Sequence, residues 1–439
     1  MVDGEFYIGI MKISIFEDGF AENLNPLTLT RPVFALRCGV RLLYEKVLDR
    51  YQDAYVSLFM RDWLAEAFLE KTSHRGRIRA VNDLRWLRSD SHLIANGRWL
   101  FDENLVEFEE MVAVKDDTIV YAYLKEDTLN KGLKTSENLA ELLDWAREEV
   151  GVRRLDEAKV INYPWDLVVW NGEELRREIL QLKDSLPKED LGGLQSISVV
   201  GEREDLLIAK GAKIYPNVVF DTSSGPILVD EGAKILSFSI IQGPSYIGKD
   251  SWIVGGKIRE GTSIGPVCRV GGEVEETIIH GYTNKYHAGF IGHSYIGEWV
   301  NLGALTTTSD LKNDYSNVEV YINGKLINTG HLKVGSFIGD HTKTGIGATF
   351  TTGSTVGVMC NLIPSGGPLP KYIPSFVWIY RGRMSKGLGL DPMLRTARKV
   401  MMRRGIEMSE AEERLYRYLY EKTRQERERL IKIYRRRGR

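Results

Sequence analysis

An apolar residue, mostly a branched aliphatic one, returns every six positions through the second half of this chain. The positions that keep this step form separate blocks: Ile208, Ile214 and Phe220; Val229, Ile235, Ile241, Ile247 and Ile253; Ile258, Ile264 and Val270; and Ile296 and Leu302. An α-helix repeats about every 3.6 residues and a flat strand about every 2, so neither produces this pattern. The period is typical of a parallel β-helix of hexapeptide repeats, in which each aliphatic side chain points into a narrow three-sided core.

The residues before this repeat alternate strand-like and helix-like segments, which predicts an α/β layer fold of the Rossmann-like kind. The predicted elements are strands at 12–16, 55–59, 92–97 and 118–123, and helices at 40–50, 61–71, 136–149 and 172–183. In such sheets, ligands bind at the carboxyl ends of the strands. The loops after Phe16 and Ala95 are therefore the expected binding region of this domain.

These patterns divide the chain into consecutive segments. The predicted segments are an α/β domain at 11–185, a linker with a proline and a glycine pair at 186–196, a β-helix at 197–385 and a helical tail at 386–439. The hexads are interrupted at 305–331, where alternation around Asn323-Gly324 predicts a hairpin with a type I′ turn. We expect this projecting loop to line a binding site or a subunit contact.

The tail is strongly basic. Residues 381–439 contain 19 Lys and Arg against 8 Asp and Glu, although the net charge of the whole chain is −1. Asp391-Pro392 predicts a helix start, and Ser409 with Glu412 predicts a capping box at a second one. Because the charge is local, it indicates a tail with its own role rather than a nucleic-acid-binding protein.

The composition is that of a soluble globular protein, with 43% hydrophobic and 27% charged residues. No apolar stretch is long enough to span a bilayer, and the first residues lack the basic and then apolar order of a signal peptide. Cys38, Cys268 and Cys360 are few, odd in number and widely spaced, which indicates reduced thiols. We therefore expect a cytoplasmic protein without a membrane span.

The strongest catalytic signal lies in residues 284–304. They read Asn-Lys-Tyr-His-Ala-Gly-Phe-Ile-Gly-His-Ser-Tyr-Ile-Gly-Glu-Trp-Val-Asn-Leu-Gly-Ala. This segment resembles the acetyltransferase half of the bifunctional N-acetylglucosamine-1-phosphate uridyltransferase/glucosamine-1-phosphate N-acetyltransferase family. The resemblance implies a left-handed β-helix, a homotrimer, and acetyl-CoA bound between neighbouring β-helices.

The same resemblance gives roles to individual residues. His287 takes the position of the family's general base, which removes a proton from the substrate amine, and an imidazole suits this task because its pKa lies near the operating pH. Asn301 matches an Asn of the family's substrate site, and Ala304 falls where the family's backbone meets acetyl-CoA. An exposed corner histidine without a role is the alternative for His287.

The segment also departs from that family. The family's Tyr three residues after the His is Phe290 here, and its Lys-containing phosphate- and sugar-binding stretch becomes Glu273-Val274-Glu275-Glu276. Arg269 and Lys285 are the nearest cations that could compensate, and we take Lys285 as a substrate-binding candidate. His280, His287 and His293 raise the alternative of a zinc site, as in β-helical carbonic anhydrases, although spacings of seven and six residues do not obviously converge.

The loop after the first strand carries the candidate nucleotide-binding residues. It reads Pro26-Leu27-Thr28-Leu29-Thr30-Arg31-Pro32, then Leu36-Arg37-Cys38-Gly39, without a Gly-rich loop. Over nearly residues 12–385 the chain resembles a divergent branch of sugar-phosphate nucleotidyltransferases fused to a left-handed β-helix acyltransferase. Arg31 and Arg37 are candidates for phosphate contacts because guanidinium groups match phosphate oxygens, and Thr28 and Thr30 are candidate hydroxyl donors. Pairing of both arginines with Glu17 or Asp18 is the alternative.

Metal binding is also implied by this resemblance. Typical members end the central strand in Gly-Asp, and the Asp binds Mg²⁺. The matching turn here is Asn96-Gly97, and Asn96 is taken as a substrate-binding candidate. Residues 163–171 resemble the segment where related enzymes supply a second metal ligand, which makes Asp166 and Asn171 candidate Mg²⁺ ligands. Packing of the two tryptophans of this segment at the domain seam is the alternative.

Three hypotheses about function follow. The main one is a transferase that acetylates an amino-sugar-1-phosphate with acetyl-CoA and couples a sugar-1-phosphate to a nucleoside triphosphate, with UTP and Mg²⁺ implied by the resemblance. One alternative keeps the acyltransferase and makes the N-terminal domain a non-catalytic module that binds sugar nucleotides, as Asn96-Gly97 suggests. The other is a non-enzymatic trimeric scaffold whose basic tail contacts RNA, an acidic partner or anionic lipid.

Overall fold

A computed structural model describes residues 11–189 and 196–437 of the chain. Contacts between α-carbons divide these residues into two compact units. The N-terminal unit holds the described residues up to Ala21, Arg31–Ala35 and Leu42–Asn162, and the C-terminal unit holds Glu22–Thr30, Leu36–Arg41 and the described residues from Tyr163 onward. The boundaries proposed from the sequence stay a prediction, and residues 190–195 of the predicted linker lie outside the described residues, as do residues 1–10.

Residues 11–160 form strands and helices in alternation. In chain order the strands are β1 (Lys12–Phe16), β2 (Arg37–Cys38), β3 (Arg41–Leu42), β4 (Tyr55–Phe59), β5 (Ile78–Val81), β6 (His92–Asn96), β7 (Met111–Lys115), β8 (Thr118–Leu124) and β9 (Gly151–Arg154). The helices are α1 (Leu43–Arg50), α2 (Asp62–Lys71), α3 (Glu126–Gly132) and α4 (Leu139–Glu149). The four predicted strands and the first three predicted helices are confirmed, whereas α3 was not predicted.

The N-terminal unit is built on a seven-stranded sheet with the order β5-β4-β1-β6-β8-β7-β9. β1 pairs in parallel with β4 on one side and with β6 on the other, and β8 runs antiparallel to β6. The chain first builds the sheet outward from β1 through β4 to β5, and then crosses back to β6. The order therefore reverses between β1 and β6, and the crevice at the carboxyl ends of these two strands is the place where such sheets bind ligands.

The C-terminal unit begins with helix α5 (Pro164–Leu182) and continues as many short strands. The first group is β10 (Ile197–Val200), β11 (Leu206–Ile208), β12 (Lys213–Ile214), β13 (Val218–Asp221), β14 (Ile227–Val229), β15 (Lys234–Ile235), β16 (Ile240–Gln242), β17 (Ser245–Ile247), β18 (Trp252–Ile253), β19 (Lys257–Ile258), β20 (Thr262–Ile264), β21 (Arg269–Val270), β22 (Glu273–Glu275), β23 (Ile278–Gly281), β24 (Asn284–Lys285), β25 (Phe290–Gly292), β26 (Tyr295–Glu298) and β27 (Thr307–Thr308). The second group is β28 (Glu319–Ile322), β29 (Lys325–Asn328), β30 (Ser336–Ile338), β31 (Lys343–Thr344), β32 (Thr349–Phe350), β33 (Ser354–Val356), β34 (Asn361–Leu362), β35 (Tyr372–Ile373), β36 (Trp378–Tyr380) and β37 (Arg383–Ser385).

These strands wind into a three-sided parallel coil. β10 pairs with β13, β11 with β14 and β12 with β15, so three strands complete one turn and the next turn stacks in parallel on it. The aliphatic positions coincide from turn to turn, as in Ile235↔Ile253↔Val270. All the hexad residues pack in one core, and only Ile214 among them is partly exposed. The predicted parallel β-helix is confirmed, and each buried aliphatic side chain stabilises it by roughly 1.5–3 kcal/mol.

The interruption of the hexads is a projecting hairpin, as predicted. β28 and β29 pair antiparallel, and both turn residues have positive φ, 45° at Asn323 and 86° at Gly324. A type I′ turn requires this conformation at both central residues, which Asn-Gly adopts at little cost. β26 pairs directly with β30 across the interruption, with Tyr295 opposite Phe337, so the coil continues in register beyond it.

The basic tail forms helices α6 (Leu390–Met402), α7 (Glu410–Lys422) and α8 (Arg424–Arg437). The predicted capping box is confirmed, because the Ser409 hydroxyl accepts a hydrogen bond from the Glu412 amide at 3.2 Å. The predicted start of α6 at Asp391 is wrong, because the N-cap residue is Gly389 and Asp391 already lies inside the helix.

The tail packs on the β-helix. The Tyr416 ring meets the His341 ring edge-on at 5.4 Å, and Tyr420 meets Phe376 in the same way at 5.3 Å. Arg427 is 1% exposed and lies over the Tyr420 ring at 3.9 Å. Among the described residues, none of the helices combines the length and the hydropathy that a membrane crossing needs.

Candidate functional site

His287 lies on an edge of the β-helix, at the corner after β24, and its side chain is exposed. The edge repeats on the next turns, where the Leu305 amide donates to the Ala288 carbonyl at 2.8 Å and the Gly347 amide donates to the Ala304 carbonyl at 2.8 Å. These hydrogen bonds stack three successive corners on one another. The predicted base His287 and the predicted cofactor contact Ala304 are therefore on adjacent turns of one edge.

The face beside this edge carries a column of polar side chains. Arg269 is paired with Asn284, Asn284 with Asn301, and Asn301 with Lys343, each on the next turn. The Asn284 side-chain amide donates to the Asn301 side-chain oxygen at 3.4 Å. Asn301, the predicted substrate-site residue, thus lies on the turn next to the one that ends in His287.

Apolar side chains are exposed along the same edge. Tyr286 is 43% exposed, Leu305 58% and Ile346 73%, on three successive turns. Exposed apolar residues that line up in this way mark contact surfaces for another chain or a ligand. The edge around His287 therefore exposes a row of apolar side chains.

Lys285 points into the β-helix rather than towards this face. It occupies the inward position next to Val270 and is 2% exposed. Its amine donates to the backbone carbonyls of Gly271 at 2.8 Å and His287 at 2.6 Å, and burial lowers its pKa to about 8. Lys285, predicted to bind substrate, therefore holds the backbone of the corner that carries His287.

A cation that no sequence motif indicated reaches the polar column from the tail. Helix α6 ends at Met402, and Gly405 turns the chain with a φ of 71°. In this turn the Arg404 guanidinium donates to the Asn284 side-chain oxygen at 2.8 Å. The two residues are 120 positions apart, so no local motif links them.

The three histidines of the zinc alternative have separate environments. His280 Nδ1 lies 2.8 Å from the Tyr295 hydroxyl, whereas His293 lies between Asp310 and Glu276 and His287 is exposed. Within residues 11–189 and 196–437, the group with metal-ligand spacing is Glu275, Glu276 and His293. Its Glu275 carboxylate is already 3.0 Å from Arg259 and 3.4 Å from Lys333, which disfavours a cation there.

His293 is a buried imidazolium that two carboxylates hold. Its Nδ1 is 2.8 Å from Asp310 and its Nε2 is 3.2 Å from Glu276. Burial opposes protonation of the ring, but the bonds to Asp310 and Glu276 outweigh it and raise the pKa of His293 to about 9. An imidazolium whose two ring N–H groups both donate hydrogen bonds has no nitrogen lone pair left to bind a metal.

This pKa predicts a pH dependence of stability. A group whose pKa is higher in the folded chain stabilises it fully below the unfolded pKa, and this stabilisation disappears as the pH rises through the folded pKa. The free energy of unfolding of the C-terminal unit should therefore fall by on the order of 2 kcal/mol between pH about 6.5 and about 9. Urea unfolding at several pH values measures it, and His293→Gln should remove this part of the slope. An unchanged slope in that variant would contradict the assignment.

The crevice between β1 and β6 holds a network of charged side chains. Glu17 and Asp18 follow β1, and Arg98 follows β6. Arg98 is fully buried and grips both carboxylate oxygens of Asp18, at 2.7 and 2.6 Å, and it also donates to Asn162 at 2.7 Å. Asn96, the predicted substrate contact, is 3% exposed and donates to Asp18 at 2.9 Å, so its amide helps to fix the network.

The arginines and threonines predicted for phosphate binding are mostly buried. Arg31 in the N-terminal unit is 7% exposed. Arg37 in the C-terminal unit is also 7% exposed, and its guanidinium donates to the Val40 carbonyl and lies over the Tyr246 ring.

The two predicted threonines donate hydrogen bonds within the C-terminal unit. Thr28 is fully buried and donates to Asn25 at 3.1 Å, whereas Thr30 donates to Asp340 at 2.7 Å.

Glu17 and Asp18, which the alternative pairs with Arg31 and Arg37, have other arginine partners. The Arg61 guanidinium lies 2.9 Å from Glu17, and Arg98 binds Asp18. These two ion pairs fix the start of the loop that follows β1.

Asp166 and Asn171 do not fit a Mg²⁺ site. α5 begins at Pro164, eight residues before its predicted start, because Pro at N1 and a capping bond from the Tyr163 amide to Asp166 at 3.0 Å begin the helix there. The buried Asn171 side chain accepts from the Gly39 amide at 2.7 Å and from Ser263 at 3.0 Å, and donates to Gly261 at 2.8 Å. Both side chains are thus engaged in local structure.

The projecting hairpin lines a cavity of about 270 Å³. Tyr321 and Asn323 of the hairpin form one wall, Asn25 of the loop after β1 a second, and Lys422 and Glu426 of the tail a third. The hairpin thus meets two other segments of the C-terminal unit at a polar cleft.

The chain combines an α/β sheet that has a switch point with a three-sided parallel β-helix. This is the architecture that the resemblance predicts for the class of sugar-phosphate nucleotidyltransferases fused to a β-helix acyltransferase. Residues 13–185 match the family model described as sugar nucleotidyl transferase. This match covers the α/β part of the chain together with α5.

Relatives extend the similarity over most of the chain. It is 27% identical to the bifunctional sugar-1-phosphate nucleotidylyltransferase/acetyltransferase of Sulfurisphaera tokodaii, over 81% of this chain and 96% of that one. It is 28% identical to the bifunctional protein GlmU of Methanocaldococcus jannaschii, over 78% of this chain and 91% of that one. It is 25% identical to the bifunctional protein GlmU of Methanococcus maripaludis strain C5, over 77% of this chain and 90% of that one. The predicted resemblance is confirmed, at low identity.

Proposed function

We propose that this chain is a bifunctional transferase that acetylates an amino-sugar-1-phosphate with acetyl-CoA and couples the sugar-1-phosphate to a nucleotide. The observation that carries the proposal is the exposed His287 edge, with Asn301 and Ala304 on the adjacent turn. The names of the relatives and the family model favour this function over the two alternatives.

In the acetyl-transfer step, the amine of the sugar attacks the thioester carbonyl carbon of acetyl-CoA. A nitrogen–carbon bond forms, the carbon–sulfur bond breaks, and CoA leaves with the electron pair as a thiolate. His287, whose side chain is exposed at the corner, takes the proton from the amine and passes it to the leaving thiolate. Lys285 keeps the corner in place through the His287 carbonyl.

The active form is a homotrimer in this proposal, with acetyl-CoA between neighbouring β-helices. The exposed Tyr286, Leu305 and Ile346 supply an apolar edge for such a contact.

In the nucleotidyl step, a phosphate oxygen of the sugar-1-phosphate attacks the α-phosphorus of UTP, and pyrophosphate leaves. Cys38, Cys268 and Cys360 are buried thiols outside any disulfide, which accords with a cytoplasmic location.

Two product assays test the proposal on the full-length protein. Acetyl-CoA with a panel of amino-sugar-1-phosphates should release CoA, and UTP with a sugar-1-phosphate should release pyrophosphate. Release of CoA without pyrophosphate would identify the N-terminal half as a binding module. Release of neither product would reject an enzyme of this class and leave the scaffold.

A further inference from the structure

Two guanidinium groups lie next to Asn284 in the polar column beside His287. Arg269 of β21 is the strand partner of Asn284, and Arg404 of the tail donates to the Asn284 side-chain oxygen at 2.8 Å. Asn284 also donates to Asn301, the predicted substrate contact, at 3.4 Å. The two cations therefore flank the residues that lead to the His287 corner.

Arg269 is held firmly with part of its guanidinium open. It stacks on the Trp252 ring at 4.0 Å, and its Nη1 donates to the carbonyls of Asp250 and Cys268, each at 2.9 Å. Lys234 lies over the same ring at 4.4 Å, which adds a third cation to this face. Arg269 and Arg404 are both partly exposed, so a ligand is able to reach them.

The protein counters the positive charges on this face only in part, because the Asp250 carboxylate acts on Arg269 without forming an ion pair with it. Neither Arg269 nor Arg404 has a carboxylate oxygen within 4 Å in the part of the chain that the structure describes. Burial and then the charge of Arg404 lower the pKa of Arg269 to about 10, and burial and then Arg403 lower the pKa of Arg404. Like charges that are brought together without a paired carboxylate favour a bound anion, and guanidinium pairs match a phosphate dianion.

We infer that Arg404 of the C-terminal tail joins Arg269 to bind the phosphate group of the sugar-1-phosphate acceptor. The inference rests on the proposed acetyl-transfer function. The two arginines replace the cations that the sequence Glu273–Glu276 lacks, and Arg404 gives the basic tail a part in the acceptor site. Lys285 does not take this role because its amine is buried under the corner.

Calorimetry with glucosamine-1-phosphate, without acetyl-CoA, tests the site apart from catalysis. Arg404→Gln and Arg269→Gln should each weaken binding on the order of 10- to 100-fold, as expected for lost bonds to a charged group. Arg404→Lys should restore part of the affinity. Arg395→Gln makes the same charge change at an exposed position of α6 and should bind like the wild type.

Kinetic measurements identify which phosphate is bound. The KM for glucosamine-1-phosphate should rise in Arg404→Gln while the KM for acetyl-CoA stays constant, and binding of glucosamine without phosphate should not change. A raised KM for acetyl-CoA with an unchanged acceptor KM would overturn the inference. So would unchanged binding in both variants, or a wild-type protein that does not bind glucosamine-1-phosphate. Binding that depends on Arg404 in a protein without acetyl transfer would support the arginine pair and reject the proposed function.

Discussion

Replacing His287 with Ala should lower the rate of acetyl transfer by on the order of 10²- to 10⁴-fold, the usual contribution of a general base. The variant keeps the backbone of the corner, because Lys285 donates to the His287 carbonyl and not to the imidazole. The side chain is exposed, so its removal opens no cavity. CoA release at saturating acetyl-CoA and glucosamine-1-phosphate measures the effect.

Two controls separate catalysis from structure in this experiment. Pyrophosphate release from UTP by the same preparation should be unchanged, as should the molecular mass in solution. His74→Ala removes a histidine of the N-terminal unit and should acetylate at the wild-type rate. A wild-type rate in His287→Ala would exclude His287 as the base.

Replacing Arg98 with Met should lower the free energy of unfolding of the N-terminal unit by about 3–5 kcal/mol. Methionine retains much of the length of the side chain but removes the two bonds to Asp18 at 2.7 and 2.6 Å and the bond to Asn162. The Asp18 carboxylate is then left in a largely buried position with the Asn96 amide as a remaining donor. Because Arg98 joins the ends of β1 and β6, its loss loosens the crevice as well.

Hydrogen exchange of the β1 and β6 amides, with urea unfolding, measures this effect in the unit concerned. Arg85→Met is a matched control, because the Arg85 side chain is 82% exposed and its pair with Asp83 lies in solvent. That variant should cost less than about 1 kcal/mol. Equal losses in the two variants would show that the Asp18–Arg98 pair is no more important than a surface pair.

Much of the C-terminal half was predictable because its core is selective. A three-sided coil has room for one inward side chain per strand, so aliphatic residues recur with a fixed step that is visible in the sequence. Asn323-Gly324 was equally informative, because few other pairs adopt two successive positive φ values.

The inward position of Lys285 was not predictable from the repeat. The inward positions Ile235 and Ile253 are 18 residues apart and Ile253 and Val270 are 17 apart, but Lys285 follows Val270 after 15. The shortened turn hid its phase, and a lysine is not expected in an apolar core unless backbone carbonyls receive its amine. Long-range contacts were equally hidden: nothing local to Arg404 or to Asn284 reveals that they meet.

The segment between β27 and β30, which carries the projecting hairpin, leaves the coil and returns to it without shifting the pairing of β26 with β30. Additions or deletions in the projecting hairpin would therefore reshape the polar cleft beside the tail and leave the spacing of neighbouring turns of the coil as it is. Related chains would then be able to diverge in ligand preference through this excursion alone, with the geometry of proton transfer at the edge inherited unchanged.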